Sequence, residues 1–221
     1  MTAVTASRIV GARIAPTKDG PLGPLSAGWG AAVEVEVPLE PTPLEVQPSA
    51  YVRTAWADRK HGVTPSVRAA AAVAGGVLHV RLRWKALNPR PAITDNNVFA
   101  DACAVLFPLD GKGAELATMG DAAHPVQAWH WRAGTAIPFV IQATGLGTVT
   151  RQAPPHGVSV EATWNADEWS VVFSRPLEEQ GVPIRGGANV PIGIAVWQGA
   201  LEERAGLKSH TPGWLTLEVP A

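Results

Sequence analysis

Prolines and glycines interrupt this chain roughly every ten residues, and no segment between them holds a hydrophobic period of 3.6 residues long enough for a full helix. Short strands bounded by turns are what such punctuation allows. The 20 prolines and 22 glycines follow no fixed spacing, which excludes a collagen-like or low-complexity chain. Hydrophobic residues make up 46% of the 221, enough for a substantial core. The expected fold class is all-β: an antiparallel two-sheet β-sandwich with long loops and at most short helical turns.

In chain order, residues 1–30 (ending PTKDGPLGPLSAGWG) read as an extended N-terminal arm, and 31–221 as a single β-sandwich domain. Val33, Val35 and Val37 alternate with Glu34 and Glu36, as in a half-buried strand. Strands are expected at 51–56, 67–73 and 77–84, the last two joined by a Gly75-Gly76 hairpin turn. In VLHVRLRW, Leu78, Val80, Leu82 and Trp84 should face the core, and His79, Arg81 and Arg83 solvent. Residues 85–100 form a long polar connection of the kind that often carries function. Further strands are expected at 102–107, up to Trp131, at 137–143, 158–164, 169–173 and 190–197, with WLTLEV closing the chain. That makes ten or eleven strands, with a short helical turn near Leu201.

The chain carries 18 basic and 19 acidic residues and no like-charge run, so electrostatic binding to nucleic acid has no support. No apolar stretch reaches the length of a membrane-spanning helix. The opening MTAVTASRIVGARIAP does not read as a secretory signal. Cys103 stands alone, which excludes an intramolecular disulfide, a haem attachment motif and any cysteine-only zinc or iron–sulfur site.

Residue patterns for catalysis are weak. No G-x-S-x-G elbow is present, and GLGTVTRQ lacks the lysine and following helix of a phosphate loop. His124 and His130 could ligate a metal, although ordinary hydrogen-bonded histidines fit the spacing better. Asp95 and Asp101 could form a carboxylate pair. Nine tryptophans against one tyrosine leave two readings: exposed rings stacking on sugars, or core. Trp84, Trp169 and Trp214 fall on apolar faces and read as core. Trp129 and Trp131 share one face of their strand with His130 opposite, and either line a pocket for a flat apolar ligand or fill the core. Met119, the only methionine besides the initiator, sits in an irregular loop as gap-filler or ligand. Lys208, in GLKSHTPG, lies outside any charged patch and by default is a surface lysine.

The succession LHVRLRW, FADACAVLFP, TMGDAAHPVQAWHWRAG, WNADEWSVVFSRPL and IAVWQGALEERAGLKSHTPGW, over about residues 77–217, resembles a family of molybdenum-enzyme subunits. These are the haem b-binding γ subunits of ethylbenzene and dimethylsulfide dehydrogenases, with relatives in selenate and chlorate reductases. The resemblance implies a β-sandwich holding one non-covalent haem b between a methionine and a lysine, which fall on Met119 and Lys208. It also implies an α subunit with molybdopterin, a β subunit with iron–sulfur clusters and an external carrier such as cytochrome c. Phe107, Trp129 and Trp131 are expected as pocket walls. The family works in the periplasm, which the missing signal leaves to co-export with a partner or a trimmed chain; a cytoplasmic member is the alternative. A carbohydrate-binding module on the same sandwich is the competing function.

Overall fold

The computed structural model describes residues 7–16, 22–93, 95–96, 98–112, 114–179 and 181–221. Its elements are β1 (Arg8–Val10), β2 (Ala12–Arg13), β3 (Val35–Pro38), β4 (Glu40–Pro41), α1 (Ala50–Trp56), β5 (Ser66–Ala74), β6 (Val77–Lys85) and β7 (Ala102–Pro108). There follow β8 (Val126–Arg132), β9 (Phe139–Ala143), β10 (Thr150–Arg151), β11 (Ser159–Asn165), β12 (Glu168–Pro176), β13 (Asn189–Trp197), β14 (Ser209–His210) and β15 (Leu215–Glu218). They build two facing sheets. The first runs β1-β15-β13-β7-β8-β9-β10, with β14 on β13 and β4 on β14; the second runs β11-β12-β6-β5-β2, with β3 on β5. No described helix is long and apolar enough to cross a membrane.

Local chemistry sets the hairpins. Gly75 and Gly76 adopt φ of 58° and 77°, the left-handed pair that a two-residue turn needs, and Ala74 faces Val77 across it. From there the neighbouring strands β5, β6, β12 and β11 keep an unbroken antiparallel register. Residues 51–56 depart from expectation. They form α1, because the Ser49 side chain accepts a hydrogen bond from the Val52 N–H and caps a helical turn. Trp56 is then the one side chain of that helix that is buried.

The sandwich is not purely antiparallel. β1 runs parallel to β15 in the first sheet, and β2 parallel to β5 in the second. The described part of the N-terminal segment belongs to both sheets, with Ile9 fully buried. Residues 1–6 and 17–21 of that segment lie outside the described residues. Leu22 and Trp29 then pack on Ala70, Ala72 and Val172, covering the outer face of the second sheet. That cover corrects the expectation for the polar side of β6. His79 is buried against Ser174 Oγ at 2.8 Å, with burial lowering its pKa to about 4. Arg81 lies over the Trp29 ring and pairs with Glu34 at 2.8 Å.

Between the sheets lie Val67, Ala69, Ala71, Leu78, Val80, Leu82, Trp84, Trp169, Val171 and Phe173 from one side, and Cys103, Val105, Ile192, Ile194 and Val196 from the other. Phe107, Trp129 and Trp131 belong to this core and are corrected from pocket walls to core residues. Their rings meet other core aromatics: Phe107 and Trp129 at 4.7 Å, Trp131 and Trp169 at 5.0 Å. The period of two in β7 and β8 sends them inward because the inward face is the larger hydrophobic sink. Truncating Trp129 to alanine should cost about 3–5 kcal/mol of stability, measurable by urea unfolding.

Candidate functional site

The middle of the first sheet is buried on both faces. The odd-numbered residues of β7 (Cys103, Val105 and Phe107) point between the sheets, while Ala102, Ala104 and Leu106 point away. On β8 the outward positions are Ala128, His130 and Arg132, and on β13 Ala195 and Trp197. Register aligns them in rows: Ala195, Ala104, His130 and Phe139 in one, Leu106, Ala128 and Ile141 in the next. Four alanines at the centre leave a depression that larger side chains would fill. Above it is a cavity of about 510 Å³, walled by loops that bring Phe99, Met119, Leu146 and Lys208. Volume alone does not single it out, since an open cavity of about 540 Å³ lies beside Arg68, Arg83 and Glu168. The apolar lining, with few convergent polar groups, does.

Met119 reaches this cavity from a loop held by its backbone. Its φ is 61°, the left-handed region that side chains rarely occupy. Its N–H donates to Leu116 O, its carbonyl accepts from Gly145 N–H at 3.2 Å, and Trp214 Nε1 donates to Ala114 O at 2.5 Å. Gly120, at φ 77°, must be glycine, because a Cβ would lie 2.4 Å from His124 O. Trp214, expected in the core, instead packs half-buried on the Met119 side of the sheet.

Lys208 is not a surface residue. It is 2% exposed, and its Nζ has no hydrogen-bond partner among the described residues, the nearest aromatic ring being Trp197 at 5.8 Å. Burial lowers its pKa to about 8. The loop that carries it is pinned by buried Glu203, whose carboxylate accepts from the N–H groups of Gly62, Val63 and Gln198. Lys208 O also accepts from Thr42 N–H at 3.0 Å. Once it gives up its proton, the amine has a lone pair for whatever enters the cavity.

The other expected residues divide. Met119 and Lys208 line one cavity, whereas Phe107, Trp129 and Trp131 lie on the opposite face of the same sheet. His124 pairs with Asp110 at 2.7 Å, and His130 sits on the cavity floor, where burial first and then Arg132 and Arg151 lower its pKa to about 4. Among the described residues no group of three or more His, Cys, Asp or Glu could hold a metal. Asp101 is structural: its carboxylate accepts from Arg90 N–H, Trp169 Nε1 and Gly199 N–H. Of the nine tryptophans only Trp164 is exposed, at 39%, so a stacking platform for sugars has little to build on. The alanine floor escaped the sequence reading, although the small-large alternation in ACAVLF carries it.

A sequence model described as ethylbenzene dehydrogenase matches residues 26–157. The chain is 39% identical over 158 residues to the chlorate reductase subunit gamma of Ideonella dechloratans, covering 70% of this chain and 65% of that one. It is 29% identical over 195 residues to a Haloferax mediterranei protein named as a respiratory nitrate reductase haem subunit, covering 87% and 66%. It thus spans just under two thirds of either relative's length. Among solved structures, a Bacteroides uniformis protein assigned to carbohydrate binding superposes with a TM-score of 0.56 over 96% of this chain and 98% of that one. At 11% identity that likeness shows the fold alone.

Because the fold lowers the Lys208 pKa from 10.5 to about 8, the unfolded chain holds a proton between those values that the folded chain has released. The Lys208 contribution to stability of the cofactor-free protein should therefore rise with pH across that window, the penalty being fully present below it. The rise amounts to roughly 3 kcal/mol. Urea unfolding at about pH 7.5 and about pH 10.5 should show it as the difference between wild type and Lys208→Met, because the buried Cys103 thiol, its pKa pushed up, opposes it equally in both.

Proposed function

Since the chain belongs to the ethylbenzene dehydrogenase family, we propose that it is an electron-transfer subunit that would carry one non-covalent haem b, held by Met119 and Lys208. One observation carries this reading: a buried lysine amine with no hydrogen-bond partner lines the same apolar cavity as a methionine held in a left-handed backbone conformation. A buried orphan amine is costly, and coordination to iron gives its lone pair a partner while excluding the proton.

When bound, the group supplies a one-electron iron couple. This chain's part is to hold it and set its environment. Lys208, with its pKa already depressed by burial, presents the neutral amine at a smaller cost than an exposed lysine would. Met119 offers a soft thioether, which favours the reduced metal and a higher potential. The apolar floor of Ala102, Ala104, Ala128 and Ala195 excludes water. With Met119 and Lys208 both holding the group, electron relay would be the chemistry left to the site.

The proposal extends to the assembly. The chain relays electrons between the iron–sulfur β subunit of a molybdenum oxidoreductase, whose α subunit carries molybdopterin, and an external carrier of the cytochrome c type. It does so in the periplasm. The names of the two relatives, a reductase γ subunit and a haem subunit, support this reading.

Absorption spectra test it. Protein purified after expression with haem supplied should show sharp low-spin α and β bands on dithionite reduction, and a b-type pyridine haemochrome. Met119→Ala and Lys208→Ala should each lose the low-spin signature. A protein that stays colourless would sink the proposal.

A further inference from the structure

Two of the arginines lining the cavity gather at one aromatic ring. Arg132 ends β8 and Arg151 lies on the edge strand β10. Both line the cavity, and both guanidiniums stand over one ring, 5.6 and 4.3 Å from the Phe139 centroid. Two cations gathered at a single ring repel one another, and that repulsion is relieved when an anion joins them. Five arginines elsewhere have acidic partners: Arg8 with Glu218, Arg59 with Glu202, and Arg68, Arg81 and Arg83 with Glu34. Arg204, the third arginine lining the cavity, stands over a different ring, Phe99, and donates to Glu202 O. Among the described residues no carboxylate lies within ion-pair distance of Arg132 or Arg151. Glu203, the one carboxylate lining the cavity, is committed to three backbone N–H groups. The field of both arginines reaches inward, where it adds to burial in keeping His130 neutral.

We propose that Arg132 and Arg151 form a carboxylate clamp, taking the two acid side arms of the porphyrin while the apolar lining takes its hydrocarbon part. The clamp rests on the haem reading above. Guanidinium suits the task because its planar fork donates two parallel hydrogen bonds to one carboxylate and stays charged at any working pH. Stacking on Phe139 limits the freedom of both forks before the ligand arrives, which reduces the ordering cost of binding. Placing the charges on the rim also keeps the acid arms near water, so that no carboxylate is buried beside the neutral Lys208 amine.

The test compares iron protoporphyrin IX with its dimethyl ester, in which both acid arms are neutral. Each is titrated into the cofactor-free protein and followed by its Soret band. Wild type should bind the diacid about tenfold to a hundredfold more tightly than the ester. Arg132→Gln combined with Arg151→Gln should erase that preference by weakening diacid binding, with ester affinity and its low-spin spectrum retained. Arg132→Lys with Arg151→Lys should restore part of it. Because Arg151 lies exposed at the sheet edge, Arg151→Gln alone keeps the comparison available if the double variant does not fold. A low-spin complex whose diacid preference is the same in wild type and variants would overturn the clamp and leave the arginines to face an acidic protein surface. Absence of a low-spin complex with either porphyrin in wild type would overturn the haem reading itself, and the clamp with it.

Discussion

Strands β7, β8 and β13 have to satisfy two cores at once, and the rest of the molecule is arranged around that demand. A strand alternates its side chains with a period of two, so each of these three presents one set of residues between the sheets and another to the outer loops. Large side chains go inward, where Phe107, Trp129, Ile192 and Ile194 meet the β6 and β12 faces. Alanines go outward, and a row of alanines on a sheet is a shallow floor that loops must roof. The cavity is the space that this segregation by size leaves between floor and roof.

The roof is held by hydrogen bonds rather than by apolar packing alone. Glu203 fixes the loop before β14 by collecting three backbone N–H groups, and Trp214 fixes the loop before β8 by donating to Ala114 O. These anchors keep Met119 and Lys208 at the cavity at the cost of a left-handed methionine and a desolvated amine. Both features are unfavourable in the cofactor-free protein.

The solved-structure likeness shows the sandwich alone, and the use of this one is read from its own side chains. The sandwich is shared with a protein assigned to carbohydrate binding, but eight of this chain's nine tryptophans are turned away from solvent, leaving Trp164 as the exposed ring. What distinguishes the site here is an apolar cavity lined by an amine with no hydrogen-bond partner among the described residues, a thioether, and two arginines gathered at the Phe139 ring.

The β-sandwich was legible from the turn residues and alternation, because strand period and turn chemistry are local properties. The β5–β6 and β11–β12 hairpins and central β13 fall where the pattern puts them. Residues 51–56 did not, since alternation there is weak and one Ser49 cap decides for helix. The family motifs marked Met119 and Lys208. Alternation established that Trp129 and Trp131 share a face with His130 opposite, but not which face is the inner one. That choice depends on which side of the sheet meets the second sheet, a long-range fact set by the larger apolar area buried there. For the same reason Lys208 read as solvated: its sequence neighbours are polar, and only the return of the chain against β13 removes it from water.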